Sequence, residues 1–192
     1  MKKIVIGVVA TAVVLLAVFY AFNAYIYNEK QAVVAADYKD ASYNIEGTIV
    51  QLKDGLSETE AAPGSASMVT TRYFGNEYKT DLNNDGREDV VFLVTQETGG
   101  SGIFYYVVAA LNTERGYVGS DGYLLGDRIA PQTIGISPNP RHKNVIVANY
   151  ADRAAGEPMS TQPSNGKSAY LKLDVVSMTW GIVEPDFEGE SR

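Results

Sequence analysis

Residues 89–111 constrain the fold more than any other stretch of this chain. Val90-Val91-Phe92-Leu93-Val94-Thr95 and Ile103-Phe104-Tyr105-Tyr106-Val107-Val108-Ala109-Ala110-Leu111 flank the turn signal Gly99-Gly100-Ser101-Gly102. Both runs are short, apolar, and rich in β-branched and aromatic side chains, which favour the pleated surface of a sheet. They predict a hairpin that runs through a core.

The segments around this hairpin carry weaker signals of the same kind. Residues 43–52 alternate through Ile45, Thr48 and Val50 and stop at Asp54-Gly55. Residues 57–67, with Pro63-Gly64, read as a loop, and 68–74 as a strand rich in Val, Thr and Tyr. Gly116-Tyr117 and Asp121-Gly122 mark turns around a short strand at 123–125. Residues 129–136 predict an edge strand, because Pro131 has no N–H to give to a ladder. An apolar strand at 144–149 is followed by a long loop at 151–167 containing Pro158, Pro163 and Asn165-Gly166. Residues 168–176 and 178–183 predict a closing pair, with Trp180 in its second member. The 13 Tyr against 6 Phe fit strands with half-buried faces. The expected fold class is all-β, a single sandwich- or barrel-like domain of about seven to nine short strands without an internal repeat.

The N-terminus carries an address. Lys2 and Lys3 precede an uncharged run from Ile4 to Phe22. As a helix this run would span roughly 28 Å, close to the bilayer core of about 30 Å. Tyr20, Tyr25 and Tyr27 stand near its outer end, where amphipathic rings favour the interface, and the next charges are Glu29 and Lys30. The paired lysines predict a cytoplasmic N-terminus and an extracytoplasmic C-terminal domain, in a single-pass protein of the cell membrane. A cleaved signal peptide is the competing reading. Its apolar region is about 7–15 residues, and it needs a small residue three before the cut. Cutting after Ala21 or Ala24 leaves Phe19 or Phe22 there, so an uncleaved anchor is the better fit. The expected organisation is a transmembrane anchor at 1–28, a stalk at 29–41 with helical propensity, a β-rich domain at 42–184 and an acidic tail at 185–192.

Composition excludes several chemistries. A formal net charge of -7 with no basic run speaks against nucleic acid as a partner. Zero cysteines exclude disulfides, thiolate metal sites and cysteine nucleophiles.

The most specific motif lies just before the core hairpin. Residues 81–89 read Asp-Leu-Asn-Asn-Asp-Gly-Arg-Glu-Asp. Oxygen-bearing side chains fall at loop positions 1, 3, 5 and 9, with Gly86 at position 6, where a tight calcium loop turns sharply. Three carboxylates this close repel one another unless a cation intervenes. A helix-flanked calcium loop would need a bidentate Glu at position 12, which is Phe92 here, and this chain continues as a strand instead.

The pattern Asp-x-(Asp/Asn)-x-Asp-Gly-x-x-Asp resembles the calcium loop of FG-GAP repeats of integrin-type propellers and of bacterial VCBS-type repeats. That resemblance covers the loop and the strand after it. It implies a bound Ca2+, with side-chain ligands Asp81, Asn83, Asp85 and Asp89 and the backbone carbonyl of Arg87. A propeller needs several blades, and one copy of the motif cannot build it. The rest of the chain, including Leu125-Gly126-Asp127-Arg128-Ile129-Ala130-Pro131-Gln132-Thr133 and Asn149-Tyr150-Ala151-Asp152-Arg153, is similar to uncharacterised membrane-anchored bacterial proteins. No activity comes with that similarity.

Other candidates have plainer readings. Asp127-Arg128 and Asp152-Arg153 either line a shared pocket with Glu157 or anchor loops; anchoring is the expectation. His142, the one histidine, is expected at the surface, and no Gly-x-Ser-x-Gly elbow accompanies a serine. Gly99-Gly100-Ser101-Gly102 lacks the lysine and helix of a phosphate cradle. Tyr105, Tyr106 and Trp180 are expected to pack rather than to stack on sugars. Two functions remain open. One is a non-catalytic, calcium-stabilised binding or structural module of the bacterial cell envelope, engaging an envelope protein or a glycan. The alternative is a metal-dependent hydrolase of an envelope polymer, using the loop metal or Asp127 and Asp152.

Overall fold

The computed structural model describes residues 34–185, which form twelve strands and one short 3-10 turn, Tyr38–Asp40. The predicted membrane run at 4–22 and most of the acidic tail lie outside these residues. Among the described residues no helix is long and apolar enough to cross a membrane.

The first two strands, β1 (Ser42–Ile45) and β2 (Thr48–Gln51), form an antiparallel hairpin. The run expected as one strand at 43–52 is folded in two at Glu46-Gly47, whose φ angles of 52° and 80° are those of a tight hairpin turn. A sheet of six strands follows: β3 (Leu56–Glu60), β4 (Met68–Thr80), β5 (Asp89–Glu97), β6 (Phe104–Thr113), β7 (Gly116–Gly119) and β8 (Tyr123–Asp127). Here β7 and β8 each pair with a different part of β6. The last four strands are β9 (Ala130–Ile136), β10 (Val145–Asp152), β11 (Asn165–Asp174) and β12 (Thr179–Ile182), in the order β12-β11-β10-β9.

The core hairpin explains the layering. All but the last residue of β5 are buried, and so are the six central residues of β6. Val91, Leu93, Val107, Ala109 and Leu111 pack against Ile146, Ala148, Leu171 and Leu173 of the four-stranded sheet. Val90, Phe92, Val94, Val108 and Ala110, on the opposite face, pack against Tyr43, Ile45, Val50 and Leu52 of the β1–β2 hairpin and its flank. A strand covered on both faces has no polar side to present, which is why these runs are apolar throughout rather than alternating.

The chain enters this fold over a track of glycines. A Cβ on Gly116 would stand 2.4 Å from Ala35 O, and one on Gly119 would stand 2.2 Å from Ser42 O. Bare backbone there lets the incoming segment approach closely enough for Ala35 to exchange hydrogen bonds with Tyr117 and for Asn44 N to donate to Ser120 O. Residues 34–41, expected within a helical stalk, are therefore a docked strand-like segment and a 3-10 turn.

Three further expectations change. The 57–67 loop contains edge strand β3, which pairs with the start of β4; its exposed Glu58 and Glu60 conceal it from a pattern that looks for apolar alternation. β4 continues past residue 74 to Thr80 through register shifts around Gly75. The long loop narrows to residues 153–164, because β10 and β11 pair as far as Asp152 and Asn165. Edge strand β9, with its Pro131, stands where it was expected.

Candidate functional site

The loop at 81–89 joins β4 to β5, and its side chains fold it. Asp81 accepts from the backbone N–H of Asp85 on Oδ1 (3.2 Å) and of Gly86 on Oδ2 (2.8 Å). Asn83 Oδ1 accepts from Asp85 N at 3.0 Å, and Asp85 Oδ1 from Arg87 N at 2.8 Å. Asn84 and Gly86 take φ of 60° and 86°, the left-handed region that Asn and Gly tolerate best. The loop is thus a series of side-chain-to-backbone turns that satisfy its own amides.

Asp89 has a different task. It is fully buried, and it accepts from Leu82 N on Oδ2 (2.9 Å) and from Asn112 N, at the end of β6, on Oδ1 (2.8 Å). One carboxylate therefore bridges the loop to the central sheet. Burial pushes the Asp89 carboxyl above its usual range, the two amide donors pull it down, and the nearby Asp85 and Asp81 charges add to the rise. Asp85, at the surface, shifts the other way, held down by the Arg87 amide, the Asn83 side chain and the Arg87 guanidinium.

Two partners of the loop come from distant sequence. Arg87 Nε donates to Asn112 O at 2.7 Å, so Asn112 serves the loop with both its N–H and its carbonyl. Asn144, in the turn before β10, donates from Nδ2 to Leu82 O at 2.8 Å. The side-chain separations of 25 and 62 residues leave no local pattern that would reveal either one.

Calcium fits part of this set. Asp81, Asn83 and the Oδ1 of Asp85 each hold backbone N–H groups and keep lone pairs for a hard cation. Asp85 Oδ2 is occupied by Asn83 Nδ2 at 2.9 Å and Arg87 Nη2 at 2.6 Å, and Asp89 faces the core. Among the described residues no three acidic or histidine side chains group as they would around a metal ion.

The two Asp-Arg pairs do meet, but as anchors. Arg153 donates from Nη1 to Arg128 O (2.9 Å) and from Nε to Thr161 O (2.6 Å). Asp127 accepts from Ile103 N (2.8 Å) and Arg128 Nη2 (2.9 Å), while Asp152 accepts from Arg153 N and Lys167 Nζ, both at 2.7 Å. Glu157 binds Ala154 N at 2.7 Å. Lys167 lowers the Asp152 carboxyl. For Asp127 burial opposes the shift, and the Arg128 and Ile103 donors outweigh it. These bonds tie the end of β8 to the loop between β10 and β11.

His142 is half-buried rather than exposed. Its Nδ1 lies 2.8 Å from Ser137 Oγ, and its ring stands edge-on to Tyr170 at 5.9 Å. Ser137 is itself buried and also receives Asn139 N, so the pair closes the 137–142 turn. Tyr106 is in the core, Tyr105 meets Phe74 edge-on at 5.2 Å, and Trp180 Nε1 donates to Asp121 O at 3.0 Å.

A cluster around Glu77 has no counterpart in any motif. The Tyr38 and Tyr73 hydroxyls both donate to Glu77 Oε1, and Lys39 Nζ lies 3.8 Å from that oxygen and 4.1 Å from the Tyr73 ring centroid. Burial, then the Glu77 bond, pushes the Tyr73 hydroxyl up to about 12. This cluster clamps the entering chain onto β4. Comparison of the chain with family models, curated proteins and solved structures gives no match in any of the three.

Proposed function

We propose that the protein is a non-catalytic binding or structural module of the bacterial cell envelope, held at the outer side of the cytoplasmic membrane by its N-terminal run. Its partner is an envelope protein or a glycan. Ca2+ binds the outer side of the 81–89 loop through Asp81, Asn83, Asp85 and the Arg87 carbonyl, with Asp89 bracing them from the core. A module of this kind would bind calcium at about 10⁻⁴–10⁻³ M, which suits a site filled outside the cell.

One observation supports the non-catalytic reading above others. The side chains with most chemical potential are engaged in holding the fold: Asp89, Asp127 and Arg153 hold backbone groups of other segments, Asp81 holds amides of its own loop, and Asp152 holds the Arg153 amide and the Lys167 side chain. A hydrolase needs such groups directed at substrate or at a metal with an open position.

The test uses the full chain in membranes and in detergent micelles. Resistance to carbonate extraction and a protease-accessible C-terminal domain on the outer side are expected. So is a calcium-dependent rise in melting temperature that Asp85→Ala abolishes. A soluble full-length protein would defeat the anchor, a melting temperature indifferent to calcium would defeat the metal, and hydrolysis lost in Asp152→Ala would defeat the non-catalytic reading.

A further inference from the structure

We infer that Arg87 is the resident counter-cation of the 81–89 loop: its guanidinium, held on Asp85, supplies positive charge among the loop's carboxylates, so the loop folds without metal and calcium competes with it for Asp85. The competition with calcium rests on the metal reading above; the metal-free fold does not.

The side chain is fixed at two points. Nε donates to Asn112 O at 2.7 Å, and Nη2 reaches Asp85 Oδ2 at 2.6 Å. With Asn83 Nδ2 on the same oxygen, both lone pairs of Asp85 Oδ2 have donors. A guanidinium is a delocalised cation, and here its charge lies against the Asp85 carboxylate. Its planar fork also suits one donor to a backbone carbonyl and another to a carboxylate. The arrangement makes one residue both ally and rival of a metal. The Arg87 backbone carbonyl is the proposed ligand at loop position 7, whereas its side chain covers Oδ2, one of the two Asp85 oxygens, and leaves Oδ1 to a cation. Calcium that binds through Asp85 Oδ1 sits beside the guanidinium and is repelled by it, and it gains Oδ2 as well only by releasing one of the two donors there, Nη2 or Asn83 Nδ2.

Arg87→Gln, in the full chain in detergent, keeps a polar side chain without the charge, and Arg87→Lys keeps the charge without the fork. Amide hydrogen exchange at Asp85, Gly86 and Arg87 reads whether the loop is closed. In EDTA the wild-type loop should stay protected, Arg87→Gln should lose protection, and Arg87→Lys should fall between them. Millimolar calcium should restore Arg87→Gln, and that variant should bind calcium about threefold more tightly than wild type. Loss of wild-type protection in EDTA, or full protection of Arg87→Gln in EDTA, overturns the inference. Calcium binding no tighter in Arg87→Gln than in wild type overturns the competition. Opening of Arg87→Gln in EDTA with no calcium binding by either protein supports Arg87 as counter-cation and sinks the calcium reading instead.

Discussion

Replacing Asp89 by asparagine separates a brace from a ligand. The two side chains have the same shape, but the carboxylate accepts on both oxygens, from Leu82 N and from Asn112 N. An amide has one acceptor oxygen, so whichever way the new side chain turns, its NH₂ faces one of these N–H groups. The site is fully buried, and water cannot repair the loss. An orphaned buried donor costs about 1–3 kcal/mol. Removing a buried negative charge, whose burial already raises the Asp89 carboxyl, offsets part of this. The expected net loss is about 1–2 kcal/mol. For a domain of this size each kcal/mol moves the melting temperature by about 2–4 °C, so the variant should melt about 2–8 °C lower. Differential scanning fluorimetry of the full chain in EDTA measures the shift, and amide exchange at Leu82 and Asn112 locates it. If Asp89→Asn matches or exceeds wild type in EDTA and falls behind only when calcium is added, the carboxylate is a metal ligand and the brace argument is wrong.

Three other perturbations have expected outcomes. Gly119→Ala places a Cβ 2.2 Å from Ser42 O, which must push β1 off its bed; a loss of about 3 kcal/mol is expected in urea unfolding, and a neutral result would show that the entering strand yields freely. Asp152 is held below its unfolded value by Lys167, so this pair's contribution is present above about pH 4 and fades as pH falls through the lower folded value. Lys167→Met should therefore lose up to about 1 kcal/mol at pH 7 and progressively less as pH falls toward 2, since the pair is partly exposed; an equal loss at both ends of this range would contradict the linkage. Trp180→Phe removes the donor to Asp121 O while leaving most of the packing, and about 1–2 kcal/mol of destabilisation at constant m-value is expected.

The core of the fold was legible because its signal is local. The β5 and β6 runs need only their own composition to be read as buried strands, and Pro131 needs only its missing N–H to mark an edge. What escaped either carries a weak local signal or depends on partners far along the chain. Glu46-Gly47 is a weaker hairpin signal than Asn-Gly, so β1 and β2 ran together. Gly116 reads as a turn residue and Gly119 gives no signal of its own, although the stronger reason for both is the chain that lies against them from residues 35 and 42.

The 81–89 loop shows the same division within nine residues. Spacing alone places carboxylates at positions 1, 5 and 9, and a calcium shell and a self-bonded turn both ask for acids there. Positions 1, 3 and 5 serve either purpose, because a side-chain oxygen that holds an N–H keeps a lone pair for a cation. Position 9 does not divide so evenly: Asp89 is buried, and its second bond is to Asn112, 23 residues away. The same distant residue receives Arg87 Nε and so fixes the guanidinium beside Asp85. Asn112 thus ties both Arg87 and Asp89 to the central sheet, and no property of the nine residues themselves encodes that. A loop with this sequence on a strand lacking such a partner would have Arg87 free and its carboxylates unopposed, and its dependence on calcium should be correspondingly greater.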